Sequence, residues 1–421
     1  LDHTQAGPGE IGGIGRILAF RPLRASTGMS LGMLRFSRRR RQRLLILAAI
    51  LLCVTVAFLL FGPFSSERLP PLSPCSPSNT RPILSVGKLV VNDEPAGGLG
   101  NRLWEIISFI MLARHLGRDA ALAPSSDTPR YRSVILDAFP SLRQKLAQCE
   151  ASEIDALQFE VGKWPDLGFV DIPGRLNKSN EKWRKKWHVR LKNVNLLQSH
   201  LYFYGVREEV LKMLKFPEEA EKYANEVMVP GMRNNDTNVC IHTRRSDFLY
   251  QKVHLHSTAN FTRQATLDIL RRLGRQPNSH RRLVVFGMDA NWAKDVFSDL
   301  HESAEIDYPV EFISDSLVHE WTFARLHCDA VLQTAPLSTF GWWLGFFSRN
   351  QSNVFYSSKF YKEEPRGGFN REDFVLPDWQ EITNNDDSQA DIPWHMRIPF
   401  FVTIVNRIRL LLRDVNPLFR L

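Results

Sequence analysis

A chain of 421 residues has room for two or three domains with a sizeable core, and 43% hydrophobic against 24% charged residues exclude a disordered chain, a collagen and a polytopic membrane protein. The net charge of +9 invites an acidic partner, but nine arginines lie in residues 1–43 against Asp2 and Glu10, and five follow Trp394 against Asp414. Charge gathered at the two ends leaves the stretch between them close to neutral, which excludes a nucleic-acid binder with its basic stripe on the fold.

Residues 1–43 read as a basic cytoplasmic tail, with Met29 or Met33 expected as the start and residues 1–28 as unnecessary for anchoring. Arg38–Arg43 abuts Leu44–Phe61, whose one polar side chain is Thr55. At about 1.5 Å per residue that run matches the ~30 Å hydrocarbon core, so residues 44–62 are predicted to be a transmembrane signal anchor. A buried core helix is the bland alternative. A cleaved signal peptide fits less well, because the run is too long and no small-x-small site follows. The arginine flank keeps the N-terminal side in the cytosol and sends the rest to a lumen. Residues 63–82 hold Pro63, Pro70, Pro71, Pro74, Pro77 and Pro82 among serines, an extended stem.

Sequons at Asn177, Asn235, Asn260 and Asn350 agree with a luminal address. Cys53 lies in the apolar run, leaving Cys75, Cys149, Cys240 and Cys328; four cysteines allow three pairings, and buried free thiols at Cys240 and Cys328 are as compatible as a bond.

Beyond the stem, strands and helices alternate. Leu89–Asn92 reads as a strand, Gly97-Gly98-Leu99-Gly100-Asn101 as a tight turn, Leu103, Ile106, Ile107 and Ile110 as one helix face, and Ala120–Ala123 as a second strand. Lys178–Arg190 reads as a solvated helix with half-buried tryptophans, the alternative being a glycan-binding platform. Strands follow at Val239–Thr243, Leu283–Gly287, Val310–Ser314, Ala330–Gln333 and Val354–Tyr356. Helices at Arg263–Leu273, Trp292–Leu300, Leu317–Cys328 and Thr339–Phe347 separate them. This alternation predicts an α/β fold of two Rossmann-like domains facing a cleft, residues 83–232 and 233–380. Residues 381–421 form a linker and a basic apolar tail, whose run Ile398–Val405 is too short to span a membrane.

The chemistry gathers at strand ends. His242-Thr-Arg244-Arg245-Ser-Asp247-Phe248 leaves a predicted central strand at its C-terminal end, where ligands bind in open α/β sheets. One forked guanidinium suits a diphosphate, and Asp247 either holds the other or faces a substrate hydroxyl as base. A surface Arg–Asp pair is the competing reading. Ser338-Thr339-Phe340-Gly341-Trp342-Trp343 opens a helix whose N–H groups can receive phosphate. For Trp342, Trp343 and Phe346, packing is the simpler reading. Asp289 either accepts from guanine or ribose or caps the helix that follows. No Asp-x-Asp pair, the usual divalent-ion ligand of sugar-nucleotide transferases, occurs between Ile83 and Trp379.

In this order, Gly97-Gly98-Leu99-Gly100-Asn101, His242-Thr-Arg244-Arg245-Ser-Asp247-Phe248, and His327-Cys-Asp329 with Ser338-Thr339-Phe340-Gly341-Trp342-Trp343 resemble the galactoside α-1,2-fucosyltransferase family. The likeness runs from about Val86 to Trp379. It implies a GT-B-like fold, GDP-β-L-fucose as donor, a galactose-terminated glycan as acceptor, inversion to an α-linked fucoside, and no metal or other cofactor. It implies that Arg244 and Arg245, with His242 beside them, grip the donor diphosphate; together with Asp247, the candidate base read from the residues, they are the expected catalytic residues. His242, Asp289, Ser338, Thr339, Phe340, Gly98, Gly100 and Asn101 would bind the donor. With the anchor, it implies a single-span type II protein of the Golgi membrane, its catalytic domain in the lumen. Two positions depart from the pattern: Arg102 replaces a usual glutamine, and Ser246 a usual glycine. The rival expectations are a transferase for another acceptor or sugar nucleotide, and a luminal glycan-binding protein without turnover.

Overall fold

The computed structural model describes residues 74–78, 81–86, 98–121, 135–147, 156–160, 169–179, 182–192, 197–233, 235–251, 253–362 and 370–386. The predicted tail, the anchor at 44–62, most of the stem, the strand Leu89–Asn92, Gly97 and the residues after 386 lie outside them. Among the described residues, no helix is long and apolar enough to cross a membrane.

Two parallel sheets make the α/β fold. The first has the order β2-β1-β4-β3, built from β1 (Ile83–Val86), β2 (Asp119–Ala121), β3 (Leu157–Glu160) and β4 (His188–Lys192). Helix α1 (Leu99–His115) follows β1. The second sheet has the order β10-β9-β8-β5-β6-β7. Its strands are β5 (Thr237–His242), β6 (Arg281–Phe286), β7 (Glu311–Ile313), β8 (Ala330–Gln333), β9 (Val354–Ser357) and β10 (Gln380–Ile382). From β5 the chain builds outward to β7, then crosses to β8 and builds the other way. The C-terminal ends of β5 and β8 therefore flank a topological switch point.

The central strands are buried on both faces, as continuous apolar runs require. Val239, Ile241, Leu283, Val285 and Leu332 point to one core, under α6 (Ala259–Leu273) and α7 (Ala290–Val296). Cys240, Val284, Phe286, Val331 and Val354 point to the other, under α8 (Leu317–His327) and α9 (Thr339–Phe347). This second core also takes in Leu84, Trp104 and Phe203, so the two halves share one apolar interior. Trp104 of α1 lies 4.1 Å from Trp342 and 5.5 Å from Trp343, ring centre to ring centre. Arg207 closes the same junction by donating to the carbonyls of Phe346 and Ser348, at the C-terminal end of α9.

The Lys178–Arg190 region differs from its predicted single helix. It divides into the end of α2 (Ile172–Ser179), the single turn α3 (Lys182–Lys185) and β4. In β4, His188, Val189, Arg190 and Leu191 are all buried, between β1 and β3. Pairing on both sides overrides the helical look of a charged segment. Arg118 fixes the turn before β4, donating to the carbonyls of Ile83, Trp183, Lys186 and Trp187 at 2.8–3.1 Å. Cys240 and Cys328 form a disulfide joining β5 to the end of α8. Cys75 is also disulfide-bonded.

Candidate active site

Two hydroxyls tie the ends of β5 and β8 together. Ser257 Oγ accepts from the Arg244 N–H at 2.7 Å and lies 2.6 Å from Thr334 Oγ1, which donates to the His242 carbonyl at 2.8 Å. Ser257 and Thr334 are fully buried, and neither announces itself in the sequence.

This frame turns the two arginines apart. Arg245 points inward: Nε donates to Asp289 Oδ2 at 3.1 Å, Nη1 donates to the Ser257 carbonyl at 2.9 Å, and the guanidinium lies 4.4 Å from the Trp292 ring centre. Arg244 stays one-third exposed, its Nε 2.9 Å from Asp247 Oδ1. Its two terminal nitrogens make no hydrogen bond among the described residues. Asp247 is also held by Ser246 Oγ at 3.0 Å and Gln251 Nε2 at 3.2 Å. Ser246 has φ of 1°, outside the left-handed region where glycine is favoured.

Asp289 realises its capping reading, Oδ1 accepting from Trp292 N at 3.3 Å, while its other oxygen holds Arg245. His242 is buried beneath the start of α9, where a Cβ on Gly341 would collide with its imidazole. Burial first, and then Arg244, push its pKa down to about 3, so the ring is neutral at physiological pH.

Leu99, Gly100 and Asn101, expected in a tight turn, instead form the first turn of α1 with Gly98 as its N-cap, and this turn meets the start of α9 directly. A Cβ on Gly100 would stand 2.8 Å from Phe340 N and from the Thr339 carbonyl carbon, so only glycine permits the contact. Trp343 Nε1 donates to the Gly100 carbonyl at 3.0 Å, and Asn101 Oδ1 accepts from Gln198 Nε2 at 2.9 Å. Gly98, by contrast, has nothing within 4 Å of a virtual Cβ. Ser338 occupies the N-cap of α9 but makes no side-chain cap bond. The first intrahelical bond is from Trp342 N to the Ser338 carbonyl, which leaves the N–H groups of Thr339, Phe340 and Gly341 without helical acceptors. Trp342, Trp343 and Phe346 are fully buried, the packing role expected of them. Phe340 is half-buried and stacks on Trp321 at 5.2 Å.

Asp329 stands elsewhere, at the opposite end of the sheet, paired with Arg349 at 2.6 Å and accepting from Asn238 N. Asn177, Asn235, Asn260 and Asn350 are all exposed. Among the described residues, no group of three or more His, Cys, Asp or Glu is placed to hold a metal ion.

Comparison with known proteins agrees with the motifs. Residues 84–383 match the family described as Glycosyl transferase family 11. A galactoside 2-alpha-L-fucosyltransferase of Caenorhabditis elegans is 32% identical over 312 residues, covering 68% of this chain and 75% of its own. A second from the same organism is 27% identical over 296 residues, covering 68% and 77%. Among solved structures, POFUT1 in complex with GDP-fucose covers 68% of this chain and 99% of its own, with 10% identity and a TM-score of 0.40. The chain belongs to glycosyl transferase family 11. It is a glycosyltransferase of the kind its motifs resemble.

Proposed function

We propose that this protein is a Golgi type II membrane enzyme that moves L-fucose from GDP-β-L-fucose to O2 of a galactose on a glycan, with inversion and without metal, on a GT-B-like pair of domains. One observation carries the reading. At the switch point between β5 and β8, a one-third-exposed arginine whose terminal nitrogens are unengaged among the described residues, Arg244, belongs to the same strand end as His242, which lies against the open helix start Thr339–Gly341. A fork of N–H donors and a helix N-terminus are complementary to a diphosphate.

In the proposed mechanism the acceptor O2 attacks C1 of fucose from the face opposite GDP as the C1–O bond to the diphosphate breaks, and the hydroxyl proton leaves late, to solvent, once the new C1–O2 bond has formed. Negative charge grows on departing GDP, and Arg244 with the α9 N–H groups stabilises it where the charge develops. Gly100 seats the first turn of α1 against α9, Asn101 ties that turn to Gln198, and Ser338, Thr339 and Phe340 shape the phosphate seat. Arg245 and Asp289 brace the strand end from inside, leaving Asp289 one open edge for the nucleoside. Asp247, already engaged by three partners, orients Arg244. Neutral His242 supports the seat without carrying charge.

Luminal orientation is supported by the arginine-flanked apolar run and by exposed asparagines at all four sequons. The test is an assay of the full chain in detergent with GDP-fucose and a panel of galactosides in excess chelator, with linkage analysis of the product. Fucose on any other position, another preferred sugar nucleotide, or activity restored only by manganese would replace this reading.

A further inference from the structure

The turn that follows Arg245 is a single 3₁₀ turn, Asp247–Leu249, too short to persist without outside help. Help comes from Lys362. Its Nζ donates to the carbonyls of Phe248 at 2.8 Å, Leu249 at 3.2 Å and Gln251 at 2.7 Å. An ammonium has three donors, and here all three meet the end of one turn. The lysine is itself held in place: Lys362 N donates to the Val253 carbonyl at 2.9 Å and Leu255 N to the Phe360 carbonyl at 3.1 Å, on either side of an antiparallel bridge between His254 and Tyr361.

The clamped turn carries the group that aims Arg244. Gln251, whose carbonyl accepts from Lys362, donates through Nε2 to Asp247 Oδ2, and Asp247 Oδ1 pairs with Arg244. A continuous path therefore runs from Lys362 through Gln251 and Asp247 to the arginine fork, although Lys362 makes no bond to Arg244. A neutral side chain cannot replace it, because at least one carbonyl, and with methionine all three, would lose its donor.

We propose that Lys362 is a positioning residue for donor binding, its ammonium clamping the 247–251 turn so that Asp247 presents Arg244 to the diphosphate of a sugar nucleotide. The inference rests on the reading of Arg244 as the diphosphate-gripping group. Without the clamp, the donor must order the turn as it binds, and affinity falls by that cost.

The test compares Lys362→Met, Lys362→Arg and Arg244→Ala in the full chain, by calorimetry with GDP and by steady-state kinetics. Lys362→Met is expected to raise the Kd for GDP and the KM for GDP-fucose about tenfold, with acceptor KM and melting temperature little changed. Lys362→Arg should recover part of the loss. Combining Lys362→Met with Asp247→Asn should be no worse than the poorer single change, because both act along one path; additive losses would overturn the proposal. If Arg244→Ala binds GDP as tightly as the parent, the donor-site reading itself fails. If Arg244→Ala loses GDP while Lys362→Met keeps the parent's affinity, only the role of Lys362 fails. A Lys362→Met chain that does not fold also overturns it, since the lysine would then hold the domain rather than one turn.

Discussion

Arg245 Nε lies 3.1 Å from Asp289 Oδ2, and the side chain of Arg245 is almost fully buried while that of Arg244 is one-third exposed. Adjacent arginines thus have opposite assignments, one to the fold and one to the solvent. Arg245→Lys keeps a charge but cannot serve Ser257 and Asp289 together, so it should lose about 2–3 kcal/mol of stability. Its kcat/KM should fall with it, about a hundredfold, through distortion of the strand end. Arg244→Lys should melt like the parent and lose donor affinity instead. Thermal melts and GDP titrations of both variants check this; equal stability in the two would return Arg245 to the ligand.

Asp247→Asn separates orientation from proton transfer. Because the carboxylate is already engaged by Arg244, Ser246 and Gln251, the expected result is a weaker grip on GDP-fucose, about tenfold in Kd, with kcat largely kept. A collapse of kcat with unchanged donor affinity would make Asp247 the base.

Gly100 and Gly98 should behave oppositely. A methyl at Gly100 meets backbone atoms of α9, which cannot yield as a flexible side chain can, so Gly100→Ala should cost about 1–3 kcal/mol and disturb the phosphate seat. Gly98 has φ of −68° and open space, so Gly98→Ala should be silent. Melting curves and kcat/KM for the pair suffice; a silent Gly100→Ala would mean that the two halves can part there.

What the sequence reveals follows from which interactions are local. β5, β6, β8 and β9 are legible because strands covered on both faces must be apolar throughout, and α9 because its aromatic run has nowhere to go but the core. β4 is not legible, since His188 and Arg190 acquire their place only by pairing with β1 and β3. Likewise the arginine motif shows where a ligand belongs but not which arginine faces it. That choice is made by Ser257, Asp289 and Trp292, and Lys362 reaches the motif's turn from more than a hundred residues away.

The Cys240–Cys328 disulfide closes a separation of 88 residues, and loop-closure entropy alone sets its contribution at about 4–5 kcal/mol. Both cysteines are fully buried, so reductant should act only on opened molecules. The double change to alanine should lower the melting temperature by about 8–20 °C, at roughly 2–4 °C per kcal/mol in a domain of this size. An unchanged melt would show that the reduced form keeps the same restraint by packing.

Stability should also depend on pH through buried carboxyls. Burial raises Glu105 from its ordinary 4.5 to about 8, with Arg102 opposing, and burial raises Glu320 to about 8 as well. The folded chain therefore holds protons that the unfolded chain has released. Between about 4.5 and 8 the folded state binds more protons, so stability falls as pH rises, by at most ~1.4 kcal/mol per pH unit for each group. The favourable contribution is complete below the unfolded value and gone above the folded one. His242 and His256, pushed down to about 3 by burial, act in the opposite sense: the unfolded chain binds their protons first, and stability falls as pH drops from about 6.5 to 3. The two trends oppose each other between about pH 4.5 and 6.5, so the maximum is expected at mildly acidic pH, with stability falling on either side. Glu105→Gln keeps the shape and removes the titration, so its melting temperature should decline less than the parent's between about pH 6 and 8, with the residual slope due to Glu320. A variant whose slope matches the parent's would show that Glu105 is ionised and compensated in the folded protein.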